Sequence, residues 1–236
     1  ADVRSGLCNF WLVTDSGAAA AEIIAVDGLP SIPLNAEVAA IPVALHGVVS
    51  GSSKVRTMFA AAKGQSVLLE VESQRLGSKL RPVLHIYDSS NQHLKWSLPS
   101  TVLRGDTRLK FTAPTDGNYT VELHDLQYAA PAPGYFRLKI GTWQYADQAF
   151  PPAIERARPA QVELLGNLPA GHMVDVASGE SPEGRPLAQS GSAVNAFQPP
   201  VLISDLPELV EAAPAEGLQQ LPSAPFGISG RLLAEG

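Results

Sequence analysis

The sequence predicts an all-β protein in which an antiparallel β-sandwich or jelly roll is followed by a smaller β domain. Three observations favour this class. Short segments alternate apolar and polar residues with the period of two that a half-buried strand requires. Turn-forming residues separate these segments, and 20 Gly and 20 Pro in 236 residues favour turns over helices. Hydrophobic residues make up 45% of the chain, which is enough to form a core.

The alternation is clearest between residues 66 and 141. In the segment SVLLEVES, apolar residues at 67, 69 and 71 share one face, and Glu70 and Glu72 share the other. Four further segments, RPVLHIY, RLKF, NYTVELH and GYFRLKIG, alternate in the same way. We expect the polar members, including Glu70, Glu72, His85 and His124, to lie in solvent on outer sheet faces, because antiparallel sheets commonly pack only one face.

Changes in composition and residue pattern along the chain predict four parts. We expect the end of a small β module at 1–30, the sandwich at 31–141, the smaller β domain at 142–207, and a linker or the start of a further sandwich at 208–236. The last assignment depends on an internal repeat, in which Leu29-Pro30 corresponds to Leu206-Pro207. A repeat of domain size indicates tandem modules. We therefore expect the chain to be a segment of a longer modular protein.

A series of turn and strand marks runs through residues 38–141. These marks are Gly64-Gln65 at the start of a strand, Pro82–Asp88, Ala113-Pro114, the turn Asp116–Tyr119 and the closing strand Tyr135–Ile140. On these marks the segment resembles a bacterial pre-peptidase C-terminal domain. The resemblance implies a secreted, non-catalytic, jelly-roll-like β-sandwich, related to collagen-binding domains and often appended to exported peptidases.

The flanking segments also resemble known modules. Residues 1–30 and 142–207 are similar to the small immunoglobulin-like modules found between such domains in large exported proteins. The fold class predicted for the whole chain is therefore a jelly-roll-like sandwich followed by a smaller immunoglobulin-like β domain.

The resemblance raises the question of calcium, because relatives bind the ion through acidic stretches before and within the first strand. Calcium requires six to eight oxygen ligands. Here the first stretch reads Leu34-Asn35-Ala36-Glu37, Ser52-Ser53-Lys54 precedes the first core Phe, and the later copy reads Ala213–Glu216. We predict no metal site and no cofactor. Calcium stays open, with its usual acidic ligands largely missing.

The sequence lacks the motifs that are typical of several classes of function. The net charge of −6 and the absence of a basic stripe argue against a nucleic-acid partner. No apolar run approaches the roughly 20 residues of a membrane span. The single cysteine, Cys8, cannot form an internal disulfide. The five histidines show no H-E-x-x-H spacing and no serine stands in G-x-S-x-G, so we predict no catalytic residues and no enzyme activity.

We therefore predict a non-catalytic binding or spacer module of a secreted or cell-surface bacterial protein. Its predicted partner is a protein or polysaccharide of the extracellular matrix or cell surface, or other modules of the same polypeptide. Two alternatives stay open: a carbohydrate-binding module, and an accessory domain of a secreted peptidase or other hydrolase. The candidate ligand-binding residues are Trp96, Tyr87 and Tyr135, which the carbohydrate alternative places on one exposed aromatic platform. We expect Trp11, within the apolar segment NFWLV, to lie in a core.

Overall fold

The computed structural model of the chain describes residues 5–156, 158–176, 199–212 and 219–232. These residues form two compact units that divide between Trp143 and Gln144. Their regular elements are strands and one 3-10 turn, so the prediction of an all-β sandwich protein is confirmed. The described ranges contain no helix with the length and hydropathy that a membrane crossing requires. The four domain ranges given above stay predictions.

The first unit contains most of the described strands. Its 3-10 turn, Gln74–Leu76, follows the eighth of them. In chain order the strands are β1 (Gly6–Phe10), β2 (Val13–Thr14), β3 (Gly17–Ala18), β4 (Glu22–Val26), β5 (Ser31–Pro33), β6 (Val43–Val48), β7 (Lys54–Ala61), β8 (Ser66–Glu72), β9 (Pro82–Tyr87), β10 (His93–Ser97), β11 (Thr107–Thr112), β12 (Gly117–Asp125) and β13 (Tyr135–Gly141).

Two sheets of this unit pack face to face. One has five strands in the order β11-β8-β13-β6-β5, and the other has four in the order β10-β9-β12-β7. Neighbouring strands are antiparallel except for the pair β5–β6. The apolar residues of both inner faces form one core, in which the rings of Phe111 and Tyr119 lie 4.9 Å apart. The alternation in the sequence therefore identifies the inward residues of these strands correctly.

The N-terminal hairpin does not bury its aromatic residues. β1 pairs with β4, and β2 pairs with β3 at its tip. Trp11 lies between β1 and β2 with 53% of its surface exposed, so the expectation that it belongs to a core is wrong. The physical reason is that β1 and β4 form a two-stranded sheet, which cannot cover its own apolar side chains.

The second unit has its own small core, built from apolar residues such as Val162, Leu164 and Ile203. A three-stranded sheet and two parallel strand pairs make up its regular structure. Its likeness to an immunoglobulin-like module stays a prediction, and residues 177–198 lie outside the described residues. The strands are β14 (Ala146–Phe150), β15 (Ala153–Glu155), β16 (Ala160–Gly166), β17 (Met173–Val176), β18 (Leu202–Ser204), β19 (Glu208–Val210) and β20 (Gly227–Ser229).

Candidate binding face

The outer face of the four-stranded sheet carries an unusual set of polar and aromatic side chains. Strand register aligns Trp96 with His85, His85 with Glu122, and Glu122 with Arg56, so these four residues form one row across the sheet. Paired residues of an antiparallel sheet point to the same side. We call this surface the histidine face, and it comprises Lys54, Arg56, His85, Tyr87, His93, Trp96, Glu122, His124 and Tyr128.

Three histidines on this face form a hydrogen-bonded chain. His93 Nε2 lies 2.9 Å from His85 Nδ1, and His85 Nε2 lies 2.9 Å from His124 Nε2. At the inner end, His124 Nδ1 donates to the carbonyl oxygen of Asp125 at 2.7 Å. A carbonyl can only accept, so this contact fixes the tautomer of His124 and leaves its Nε2 as an acceptor.

The same logic fixes the protons along the whole chain. When all three rings are neutral, His85 donates from Nε2 to His124, and His93 donates from Nε2 to His85. One added proton is accommodated if His85 and His93 both change tautomer. Each hydrogen bond between the rings then reverses its direction, and the last N–H lies on Nδ1 of exposed His93. A second proton would set two N–H groups against each other. The histidine chain therefore takes up a single proton without losing a hydrogen bond.

Burial distinguishes the two ends of the chain. His124 is only 3% exposed, whereas His93 is exposed. The expectation that His124 lies in solvent is wrong, because the ring of Tyr128 stacks on it at a centroid distance of 4.2 Å. The expectation that the side chain of His124 points to the outer face of the sheet is correct.

Electrostatics lowers the proton affinity of the central ring. Burial disfavours the charged form of His85, and neighbouring His124 and His93 act in the same direction, so the pKa of His85 lies below its ordinary value. Glu122 acts in the opposite direction and Lys54 adds to the lowering. The charged form of His85 is therefore less favourable in the folded chain than in a free imidazole.

Aromatic rings continue the chain into a ladder. The rings of His85 and His124 are nearly parallel with centroids 5.0 Å apart, and the ring of Tyr87 lies 6.2 Å from that of His85. Cations cap both ends: Lys54 Nζ lies 5.4 Å from the centroid of Tyr128, and Arg56 Cζ lies 5.8 Å from that of Tyr87. These are distances at which a cation is attracted to an aromatic ring.

A single buried carboxylate orients the two cations. Glu122 is 1% exposed and accepts from Lys54 Nζ at 3.1 Å and from Arg56 Nε at 2.7 Å. Burial opposes its ionisation, but the two cations outweigh this effect and the pKa of Glu122 is lowered. The bond to Glu122 raises the pKa of Lys54. Two cations facing one carboxylate leave the face locally positive on a chain of net charge −6.

The structure separates the three candidate ligand-binding residues. Trp96 and Tyr87 lie on neighbouring strands of the histidine face, with Trp96 53% exposed. Tyr135 lies on β13 of the other sheet, where its hydroxyl donates to the carbonyl of Leu76 at 2.7 Å. The three rings therefore do not share one platform, and ligand binding by any of them stays a prediction.

The centre of the outer face of the five-stranded sheet is buried instead. Glu70 and Glu72 are fully buried there, so the expectation that both carboxylates lie in solvent is wrong. The 3-10 turn contributes Arg75, and the ring of Trp143 lies over the ammonium of Lys139 at 5.3 Å. We call the paired charges of this face the ionic layer: Asp27, Glu70, Glu72, Arg75, Asp106, Arg108, Arg137 and Lys139.

The ionic layer is balanced in charge, with four acids and four bases. Lys139 Nζ lies 3.0 Å from Glu70 Oε1 and 2.7 Å from Glu72 Oε1. Asp106 also accepts from the backbone N–H groups of Ser73 and Gln74, which ties the 3-10 turn to the sheet. A buried charge is tolerated only with such partners.

The cations control the ionisation of the central carboxylate. Burial alone would raise the pKa of Glu70, but the charges of Lys139, Arg75 and Arg108 outweigh burial and hold this pKa well below its usual range. Because these side chains are buried and paired, we assign the ionic layer a structural role. The described ranges contain no group of three or more His, Cys, Asp or Glu side chains placed to hold a metal ion.

Comparisons with known proteins give structural neighbours only. The sequence matches no protein-family model and no curated protein. The chain is similar to the pre-peptidase C-terminal domain of a collagenase from Bacillus anthracis, with a TM-score of 0.34 and 12% identity over 48% of this chain and 95% of that one. That domain is of the kind that the sequence resembles.

Two further neighbours are periplasmic inhibitors of g-type lysozyme, both called PliG. The Aeromonas hydrophila protein has a TM-score of 0.35 and 16% identity over 49% of this chain and 98% of that one. The Salmonella Typhimurium protein has a TM-score of 0.32 and 15% identity over 48% and 96%. Likenesses at this level define neither the family nor the function of the chain.

Proposed function

We propose that the chain is an exported, non-catalytic binding module whose histidine face holds an acidic patch of another extracellular protein. The observation that carries the proposal is that the exposed Trp96 shares one sheet face with two ring-bound cations, Lys54 and Arg56, on an otherwise acidic chain. Trp, Tyr and Arg are the residues that most often dominate the energy of protein interfaces. Export is supported by the resemblance carried by residues 38–141.

The geometry favours a preformed surface. The ring ladder, the histidine chain and the bonds to Glu122 hold the side chains in fixed positions before any partner arrives. A preformed surface loses less conformational entropy on binding than a mobile one. Lys54 and Arg56 keep 45% and 55% of their side-chain surface exposed, so both cations remain accessible to an acidic partner.

The test is a binding screen with a matched tryptophan control. The full chain is immobilised and exposed to arrays of purified extracellular-matrix proteins and of glycans, with and without CaCl2. We expect at least one acidic protein to be retained without calcium, and its retention to be lost in Trp96→Ala. Trp11→Ala is the control, because Trp11 is equally exposed, at 53%, and lies in the N-terminal hairpin.

Three results would overturn the proposal. Retention of no protein excludes this class of partner. Equal loss in Trp96→Ala and Trp11→Ala excludes the histidine face as the site. Retention of glycans alone, dependent on Trp96, would instead establish the carbohydrate-binding alternative.

A further inference from the structure

Two segments of the chain share one pattern of backbone hydrogen bonds. In the first segment, the N–H of Leu29 donates to Asp27 Oδ1 at 3.0 Å. In the second segment, the N–H of Leu206 donates to Ser204 Oγ at 3.1 Å. Both turns precede a proline, and each residue of the second turn lies 177 positions after its counterpart. The repeat seen in the sequence is therefore also a repeat of local structure.

The strand pairs that follow these turns match bond for bond. β5–β6 and β19–β20 are both parallel, and Ile32 opposite Leu45 corresponds to Leu209 opposite Ile228. The two bonds that flank each pair are also equivalent and measure 2.8 to 2.9 Å. They are Ala44 N to Pro30 O and Leu34 N to His46 O in the first copy, and Gly227 N to Pro207 O and Glu211 N to Ser229 O in the second.

The two copies differ in what lies beside the second strand. In the first copy β13 pairs with the other edge of β6, placing Leu138 opposite Leu45, and Leu45 is fully buried. In the second copy β19 is the strand that pairs with β20 in the described ranges, and Ile228 is 49% exposed. The second copy thus repeats the opening of the sandwich with its core-facing side chain uncovered.

One glycine strengthens the comparison. A side chain at Gly47 would lie 2.8 Å from the ring of Phe136, so this position leaves room for an aromatic residue of β13. Gly230 occupies the equivalent position, one residue beyond Ser229 as Gly47 is one beyond His46. A side chain at either glycine would also meet the residue that follows the preceding strand, which is Leu34 at Gly47 and its counterpart Glu211 at Gly230.

We propose that the described segments 206–212 and 219–230 open a second sandwich, and that the edge of β20 opposite β19 receives an antiparallel strand equivalent to β13 from the same polypeptide, C-terminal to β20. In the first copy, the strands other than β5 that pair with β6 or pack on it from the sandwich follow it in sequence, which places the strand equivalent to β13 after β20. Its inward residues alternate and are large and apolar, as Phe136, Leu138 and Ile140 are in β13. This inference goes beyond the binding role proposed above.

The test builds the second sandwich from parts of the chain itself. The test protein consists of residues 1–230 followed directly by a second copy of residues 48–141. Because Gly230 corresponds to Gly47, each added residue has the same register as in the first copy. We expect a second cooperative unfolding transition in calorimetry. We also expect the backbone amides of Gly227–Ser229 to exchange at least about tenfold more slowly than in the parent chain, because protection follows local stability.

Substitutions of Ile228 distinguish pairing of the added strand with β20 from a general effect of the added segment. Ile228→Asp should abolish both changes and leave the unfolding of the first sandwich unaltered, whereas Ile228→Val should retain them. Unchanged amide exchange at Gly227–Ser229 in the extended chain overturns the proposal, whatever calorimetry shows. Equal protection in Ile228→Asp also overturns it.

Discussion

Lys139 Nζ lies 3.0 Å from a carboxylate oxygen of Glu70, and both side chains are fully buried on the outer side of a sheet. Strand register places Lys139 and Arg108 on either side of Glu70, from β13 and β11. The pair therefore forms the centre of the ionic layer. Removing one partner of such a pair leaves an uncompensated charge in the interior, which is far more costly than losing a surface ion pair.

Replacing Lys139 by methionine should lower the free energy of unfolding by about 3–5 kcal/mol, the range for a buried pair that loses one partner. The substitution keeps most of the side-chain volume but removes the charge facing Glu70 and Glu72. Urea denaturation of both variants measures the effect, with Lys110→Met, an exposed lysine of β11, as the control. Equal costs for the two substitutions would contradict the assignment.

The pH dependence of stability should reveal the ionised state of Glu70. Its pKa is lowered in the folded chain, whereas the ordinary value of 4.5 applies to the unfolded chain. As the pH falls through 4.5, the unfolded chain therefore binds a proton before the folded chain does. Stability contributed by this carboxylate is present above that pH and is lost as the pH falls toward the folded value. The urea concentration at the unfolding midpoint of the parent chain should therefore decrease as the pH falls below 4.5.

A glutamine variant isolates this contribution. Glu70→Gln should be less stable than the parent at pH 7, and its midpoint should fall less steeply with acid. Glu37→Gln, at an exposed position, should follow the parent at every pH. A parallel fall in the parent and Glu70→Gln would show that folding does not lower the pKa of Glu70.

The histidine chain predicts a second pH effect in a different range. Because the pKa of His85 is lowered in the folded chain, the unfolded chain takes up the proton first as the pH falls through 6.5. Folding is therefore favoured above this pH and loses stability below it. The groups facing His85 are His93, His124, Tyr87, Glu122 and Lys54.

Thermal melts at pH 7.5 and 5.5 test this effect. The fall in Tm of the parent chain between these values should be smaller in His85→Phe, which cannot bind a proton. His46→Gln, at an exposed histidine of the other sheet, should behave as the parent does. A His85→Phe variant with the full fall in Tm would exclude the histidine chain as its source.

The guanidinium of Arg137 should not be replaceable by an ammonium. It donates to both carboxylate oxygens of Asp27 at 2.7 Å and to Glu72 at 2.9 Å, a fork that lysine cannot reproduce. Arg137→Lys should lower the free energy of unfolding by about 1–3 kcal/mol. Denaturation followed by Trp fluorescence measures the loss, and Arg158→Lys, 77% exposed, should cost nothing. An unchanged midpoint in Arg137→Lys would show that the fork adds no stability.

The inward half of the sandwich could be predicted from the sequence, and the outward half could not. Alternation fixes which residues share a face, so Leu69 and Val71 were placed correctly. It does not show what covers the opposite face. Glu70 is buried because Arg75, Asp106 and Trp143 come from segments whose paths depend on the whole fold. The even balance of charges across β8 and β13 is the one signal in the sequence that pointed to pairing.

The histidine chain was missed for a related reason. His85, His93 and His124 lie on three strands, and the register that aligns them is a property of the sheet. The alternation placed His85 and His124 outward, which is correct, but the distance between strands in sequence concealed their contact. The separation of Tyr135 from Trp96 has the same origin, since the order of strands assigns them to different sheets.

The most direct test of the account is the affinity of the acidic protein retained in the screen, measured by surface plasmon resonance for the parent chain, Trp96→Ala and Trp11→Ala. Binding at the histidine face predicts that Trp96→Ala raises the Kd at least about tenfold, which corresponds to about 1.4 kcal/mol or more for an interface residue. It also predicts weaker binding by the parent as salt increases, because exposed cations are screened. An unchanged Kd in Trp96→Ala, or an equal rise in Trp11→Ala, would contradict binding at the histidine face.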